Sequence, residues 1–183
     1  MREPAGWRRA AAVGLFCAAP GIGCASEKAD PGLVFSRDVR ATYSQARACR
    51  SPGEHSGLSA FSVWVSRDAE TAFAALWRTP PGISRMPEGA VVVKEIYSGR
   101  SCDPAKVERW VAMRKEAGFD PAHADWNWQE VTADGQVTAS GAVTACIGCH
   151  RGGDEATCVG YGEQHGRDYT CTVPDAPPDA GLP

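Results

Sequence analysis

The chain has 183 residues, enough for one domain with a real core plus processed or loose ends. Charges are mixed, 19 Lys and Arg against 22 Asp and Glu, and the formal balance of −3 points away from nucleic acid as a partner. Beyond the first 25 residues, no run reaches the ~20 apolar residues that a membrane-spanning helix needs.

Residues 1–25 read as an export signal. Arg2, Arg8 and Arg9 give a positive start, Ala10 to Gly23 is uncharged and mostly apolar and small, and Gly23-Cys24-Ala25 is a small-residue cleavage site before Ser26. Cys24 is an alternative lipidation site, although Gly21 stands where such sites usually carry Leu, Val or Ile. Losing this leader removes three Arg and one Glu and leaves about −5 on the mature chain. A periplasmic or other extracytoplasmic location is therefore expected, and the cysteines agree. Of eight, Cys17 and Cys24 fall in the leader and Cys146 and Cys149 in a motif treated below, which leaves Cys49, Cys102, Cys158 and Cys171 for an oxidising compartment. Four cysteines allow three pairings. Cys158 with Cys171 would close a short loop and leave Cys49 with Cys102; free buried thiols are the alternative.

Residues 26–33 are a polar linker, and residues 34–173 form the domain. Val34 to Arg50 is predicted as a helix, with Val39, Tyr43 and Ala46 on one side and arginines on the other. Ser51-Pro52-Gly53 breaks it. Leu58 to Ser66 alternates as a strand, Phe61, Val63 and Val65 pointing one way and Ser62 and Trp64 the other. Asp68 caps a short helix, Ala69 to Trp77, whose apolar stripe is Phe73, Leu76 and Trp77. Met86 to Gly89 turns into Ala90 to Tyr97, the most strand-like run of the chain. Val107 to Lys115 is ambiguous: Asp103-Pro104 resembles a helix start, and Val107, Trp110, Val111 and Arg114 fit a helical face. Asp125 to Thr132 returns as a strand with Trp126 and Trp128 on one face, and Asp134-Gly135 makes a hairpin turn to Val137. Gly141 to His150 is a short helical segment. Residues 174–183 form a Pro- and Asp-rich tail without apolar anchors, expected to be disordered.

That last helix carries the chemistry. Cys146-Ile147-Gly148-Cys149-His150 spells Cys-x-x-Cys-His, the attachment signature of a c-type haem. Two thiols one helical turn apart reach the two vinyl groups of a porphyrin, and the adjacent imidazole turns under the ring to ligate the iron. One covalently bound haem c is thus the expected cofactor, held by Cys146 and Cys149 with His150 on the metal. A dithiol redox pair or a zinc site built from Cys146, Cys149, Cys158 and Cys171 are the competing readings. The zinc reading leaves His150 unexplained.

Lys94 is the second candidate. Alternation puts it on the face of Val92 and Ile96, where apolar neighbours desolvate the amine and favour its neutral, nucleophilic form. A strand lysine whose amine snorkels to water is the ordinary alternative. Among other candidates, Phe61 is either a wall over the open face of the iron or plain core. Glu130, on the face of Trp126 and Trp128, is either an acid above the metal or a solvent-edge carboxylate. His55, His123, His165, Met86 and Met113 are candidate second ligands, with no supporting motif.

Together the motifs resemble the cytochrome P-460 family. Met86-Pro87-Glu88-Gly89-Ala90-Val91-Val92-Val93-Lys94-Glu95 is similar to its Gly-x-Val-x-Val-Lys-Glu strand, and Asp125-Trp126-Asn127-Trp128 to its Asp-Trp-x-Trp segment. Ala145 to His150 is similar to its haem site, and Asp168-Tyr169-Thr170-Cys171-Thr172 to its closing Asp-Tyr-x-x-Thr. The resemblance implies a β-rich α+β domain, a curved antiparallel sheet over the haem, with Val107 to Lys115 a strand. It also implies that Lys94 is cross-linked to the porphyrin edge and His150 is the sole protein ligand. The opposite iron face would then stay open for hydroxylamine, nitric oxide or peroxide. The implied partners are a small nitrogenous substrate or gas and a soluble electron acceptor such as another cytochrome, with a second copy of the chain as a further candidate. A non-catalytic gas binder and a simple electron carrier are the alternative functions. Cys171, where the family usually has an aromatic residue, and the long stretch from Gly152 to Arg167 depart from the pattern.

Overall fold

The computed structural model describes residues 32–50, 59–77, 85–150, 168–171 and 175. The leader, the linker up to residue 31, Cys158 and most of the tail lie outside them. Among the described residues a six-stranded antiparallel sheet is built in strict chain order, each strand beside its sequence neighbour. The strands are β1 (Tyr43–Arg50), β2 (Phe61–Ser66), β3 (Val91–Tyr97), β4 (Val107–Lys115), β5 (Trp126–Thr132) and β6 (Val137–Gly141). Helices α1 (Val39–Thr42), α2 (Glu70–Leu76) and α3 (Thr144–His150) complete it, so the domain is α+β and rich in β structure.

The sheet is covered on both faces because β3 demands it: every position of β3 is buried except Lys94, which is half-buried. One face carries Phe61, Val63 and Val65 of β2, Val92 and Ile96 of β3, Met113 of β4, and Trp126 and Trp128 of β5. It is roofed by Phe73 and Leu76 of α2 and by Ile147 of α3. Helix α2 has seven residues, too few to persist alone, so its stability comes from these contacts, ~1.5–3 kcal/mol for each fully buried side chain. The other face presents Trp64, Val91, Val93, Trp110, Ala112 and Val131 to Phe35, Val39 and Tyr43. Gln129 fastens that cover: its amide accepts from Val34 N–H at 3.0 Å and donates to Gly32 C=O at 2.9 Å.

Two expectations need correction. Val34 to Arg50 is not one helix; the helix is the single turn of α1, and the chain becomes strand at Tyr43. Val39 and Tyr43 do share a side, but β2 has an open edge, and pairing Tyr43 with Ser66 and Ser44 with Val65 satisfies backbone groups that a short arginine-rich helix would leave to water. Asp68 is not a helix cap. Arg67–Ala69 forms a 3-10 turn after β2 ends at Ser66, Ala69 is buried at the cap position without a side-chain bond, and α2 starts at Glu70. The stripe of Phe73, Leu76 and Trp77 is buried as expected. The Asp103-Pro104 signal is real but local: the Asp103 carboxylate accepts from Ala105 N–H, one 3-10 turn follows, and Val107 opens β4. Gly135 makes the β5–β6 turn with φ +91°, and the Arg37 guanidinium lies 2.7 Å from where a Cβ would sit.

Cys49 and Cys102 form a disulfide that ties the end of edge strand β1 to the β3–β4 connection. Cys171 is disulfide-bonded too. The Cys49–Cys102 bond spans 53 residues. Replacing both with Ser is expected to cost about 2–4 kcal/mol, read as a lower urea midpoint with a steeper slope, because the uncrosslinked unfolded chain exposes more surface. Asp175 continues this edge: its N–H donates to Ala46 C=O at 2.9 Å, and its carboxylate takes Ala48 N–H at 2.6 Å and Arg50 at 2.7 Å.

On the face away from α3, Glu95 and Tyr97 are buried together. The Tyr97 hydroxyl donates to Glu95 Oε2 at 2.5 Å, while Arg40 donates to Glu95 Oε1 at 3.1 Å and to the Tyr97 oxygen at 2.9 Å. Burial first, then the bond to Glu95, pushes the Tyr97 phenol from 10.0 up to about 12. The protonated phenol therefore contributes in full below pH 10 and loses its contribution as the pH climbs from 10.0 to about 12. An alkaline titration of phenolate absorbance should show one of the four tyrosines ionising last, together with loss of the fold.

Candidate cofactor site

β6 ends at Gly141, where φ is +95° and the backbone turns away from the sheet. Val143 N–H donates to Gly141 C=O at 2.9 Å, and Ile147 N–H to Val143 C=O at 3.0 Å, so α3 is wound from the moment the strand ends. Ile147 is its anchor, buried in the core under the sheet. Cys146 and Cys149, three residues apart, consequently share one side of α3, Cys146 half-buried and Cys149 exposed. Both thiols are free. Burial first, then the Glu130 carboxylate and the Cys149 thiol, raise the Cys146 pKa, so this sulfur is held as the thiol.

His150 closes the helix. Its Nδ1 lies 2.8 Å from Tyr169 C=O, and a carbonyl only accepts, so Nδ1 carries the hydrogen and the lone pair is on Nε2, an atom suited to ligating a metal. Burial, and then the Lys94 charge, lower the pKa of the imidazole against the raising effect of the Tyr169 bond, which keeps the ring neutral. The Trp128 ring meets it edge-on, centroids 4.8 Å apart. The Trp128 indole N–H is buried with no acceptor among the described residues, a donor beside the imidazole.

The acceptor of that histidine is itself firmly held. Asp168 and Tyr169 are both left-handed, with φ 48° and 62°, at a cost of about 1–3 kcal/mol each for non-glycine residues. Such a backbone persists only where its surroundings dictate it. Here the Asp168 carboxylate receives Lys115 Nζ at 2.8 and 2.9 Å and Met86 N–H at 2.6 Å, while Asp168 C=O receives the Trp126 indole N–H at 2.8 Å. Lys115 Nζ also lies 4.7 Å from the centre of the Trp126 ring.

Lys94, Phe61 and Glu130 fall on the same face of the sheet. Lys94 pairs with Val63 on one side and Val111 on the other, and Val111 pairs in turn with Glu130. Lys94 Nζ lies 4.0 Å from the centre of the Phe61 ring, which is buried at the start of β2. The Glu130 carboxylate is 3.4 Å from Arg109 Nε and close enough to Cys146 to raise its thiol. His123 Nδ1 is 2.8 Å from the Asp120 carboxylate, and its ring meets that of Tyr169 edge-on. Met86 and Met113 are both buried in the core cluster. His55 and His165 lie outside the described residues. The zinc alternative fails on chemistry, because Cys171 is in a disulfide and cannot supply a thiolate.

These residues fit a haem. Among the described cysteines the two of the Cys-x-x-Cys pair are the free ones, and the neighbouring imidazole is neutral in the tautomer that leaves the Nε2 lone pair for iron. What the sequence did not reveal is the pairing of Lys115 with Asp168, 53 residues apart. The one available signal was a lysine in a chain with 15 arginines and 4 lysines, placed by alternation on the face of Val111 and Met113.

A family model described as Cytochrome P460 matches residues 60–161, more than half of the chain. That span runs from the start of β2 through α3 and includes Lys94, Glu130, Cys146, Cys149 and His150. No curated protein matches the sequence. The chain belongs to the cytochrome P460 family, a family of haem proteins.

Proposed function

We propose that this is an exported mono-haem c-type cytochrome that oxidises hydroxylamine, reacts with nitric oxide, or does both at an open iron face. Haem supplies a one-electron metal centre with a coordination position for a small ligand. The protein's part is to hold and shape it. Cys146 and Cys149 anchor one haem through thioethers, and His150 is the sole protein ligand, its Nδ1–H fixed by Tyr169 C=O. Lys94 is the cross-link to the porphyrin edge, and Phe61, against which its amine stacks, walls the pocket. Glu130, tied to Arg109, is the acid available on that face for proton movement. A soluble acceptor such as another cytochrome takes the electrons.

The observation that carries this reading is α3, which brings two free thiols and a neutral, hydrogen-bonded imidazole to the sheet face that holds Lys94. The Cys49–Cys102 disulfide supports an oxidising compartment and hence export. The test is hydroxylamine turnover with an artificial electron acceptor, using protein made in a cytochrome-maturing host. Loaded protein that binds nitric oxide without hydroxylamine turnover would instead be a gas-binding cytochrome, a reading that the apolar Phe61 wall favours. A spectrum unmoved by nitric oxide would indicate an electron carrier with a second ligand. Against that, Met86 and Met113 are in the core and His123 is bonded to Asp120.

Lys94 has its own test. The unmodified protein is expected to give a strongly red-shifted reduced Soret band. Lys94→Arg, which keeps the charge and loses the nucleophile, should return the band to that of an ordinary c-type haem. An unchanged spectrum would remove Lys94 from the site.

A further inference from the structure

We propose that the buried Lys115–Asp168 ion pair is a positioning device for the axial histidine and thereby sets the reduction potential of the iron. The inference rests on His150 being the iron ligand. It adds a function for two residues outside the Cys-x-x-Cys-His motif.

The chain of contacts is continuous. Lys115 ends β4 and is pinned by its own backbone, its N–H to Ala90 C=O at 2.8 Å and its C=O from Gly89 N–H at 2.9 Å. Its Nζ bonds both oxygens of Asp168, and both side chains are almost wholly buried, 7% and 1% exposed. Asp168 is further clamped by Met86 N–H and the Trp126 indole, so its position is set by three separate elements of the domain. The next residue, Tyr169, turns its carbonyl onto His150 Nδ1–H. Both residues of this turn are left-handed, a conformation that relaxes if the anchor is lost.

The strength and direction of an acceptor on Nδ1–H control how basic Nε2 is. A firmly held carbonyl makes the imidazole a stronger electron donor and favours ferric over ferrous iron. The ion pair has no direct line to the metal, so it acts through the placing of one carbonyl oxygen. A merely structural pair would change stability and leave the spectroscopy of the iron–histidine bond untouched.

The experiment uses full-length, covalently haem-loaded protein. Lys115→Gln with Asp168→Asn replaces the ion pair by amides of similar size and leaves no unpaired buried charge, so the fold is retained. Midpoint potential and the ferrous iron–histidine stretching band are measured together. The expected result is a ferric-to-ferrous equilibrium shifted about tenfold toward ferrous iron, which is ~59 mV for a one-electron couple, with a lowered stretching frequency. Lys115→Arg, which keeps the cation, should stay near the unmodified protein in both readouts. A loaded double variant with both readouts unmoved overturns the proposal. If the double variant does not accumulate, Asp168→Asn alone decides. A frequency typical of an imidazole with no Nδ1 acceptor in the unmodified protein, or a raised one that Asp168→Asn leaves in place, overturns the inference; a raised one that Asp168→Asn lowers upholds it. Failure of the underlying haem reading would look different: the unmodified protein itself would carry no covalent porphyrin.

Discussion

Replacing Cys146 and Cys149 together with Ser is expected to yield a folded chain without covalent porphyrin. Mass spectrometry of denatured, solvent-extracted protein from a cytochrome-maturing host should then find only the polypeptide mass, where the unmodified protein adds one haem. The effect is all-or-none because a hydroxyl does not form the thioether, and no other described cysteine is a substitute: Cys49, Cys102 and Cys171 are already in disulfides. The fold should survive, since Cys149 is exposed and α3 is held to the sheet by Ile147. Unmodified protein with no added porphyrin mass would remove the basis for the haem roles of His150 and Lys94. A dithiol protein would then be the better description.

Lys115→Met alone should be the most destabilising single change at the site. It leaves the Asp168 carboxylate, 1% exposed, without its cation in the core. Breaking a buried pair from one side costs about 3–5 kcal/mol, while replacing both partners by neutral groups costs far less. Calorimetry should register a fall in Tm of roughly 10 °C for the single variant, and the Lys115→Gln, Asp168→Asn double variant should recover most of it. A single variant as stable as the parent would mean that water reaches Asp168. The local consequence should appear with the global one: as Asp168 loses its anchor, Tyr169 C=O drifts from His150 and the imidazole is freed to rotate.

Elements whose information is local were legible in the sequence. The alternation of Phe61 to Ser66, the dense β-branched run of β3, the paired tryptophans of β5 and the Asp134-Gly135 turn each carry their own period or turn chemistry. The apolar residues of β1 are spaced to suit a helix as well as a strand. What decides its conformation is the open edge of β2 and a disulfide to Cys102, both distant in sequence. The pattern of Val107 to Lys115 is equally two-sided, and its strand pairing is supplied by β3 and β5.

By itself the sequence determined the candidate site. Cys146, Cys149 and His150 sit within one helical turn of each other, so their spacing is their geometry, and Lys94 owes its face to strand alternation alone. Only the tertiary structure decided what surrounds them: that Lys94 lies over Phe61, that Glu130 reaches Arg109, and that Tyr169 C=O holds His150 through a carboxylate locked to Lys115. The physical reason is range. A bond between side chains far apart along the chain exists only after the backbone has closed six strands in register, and no short-period pattern encodes it.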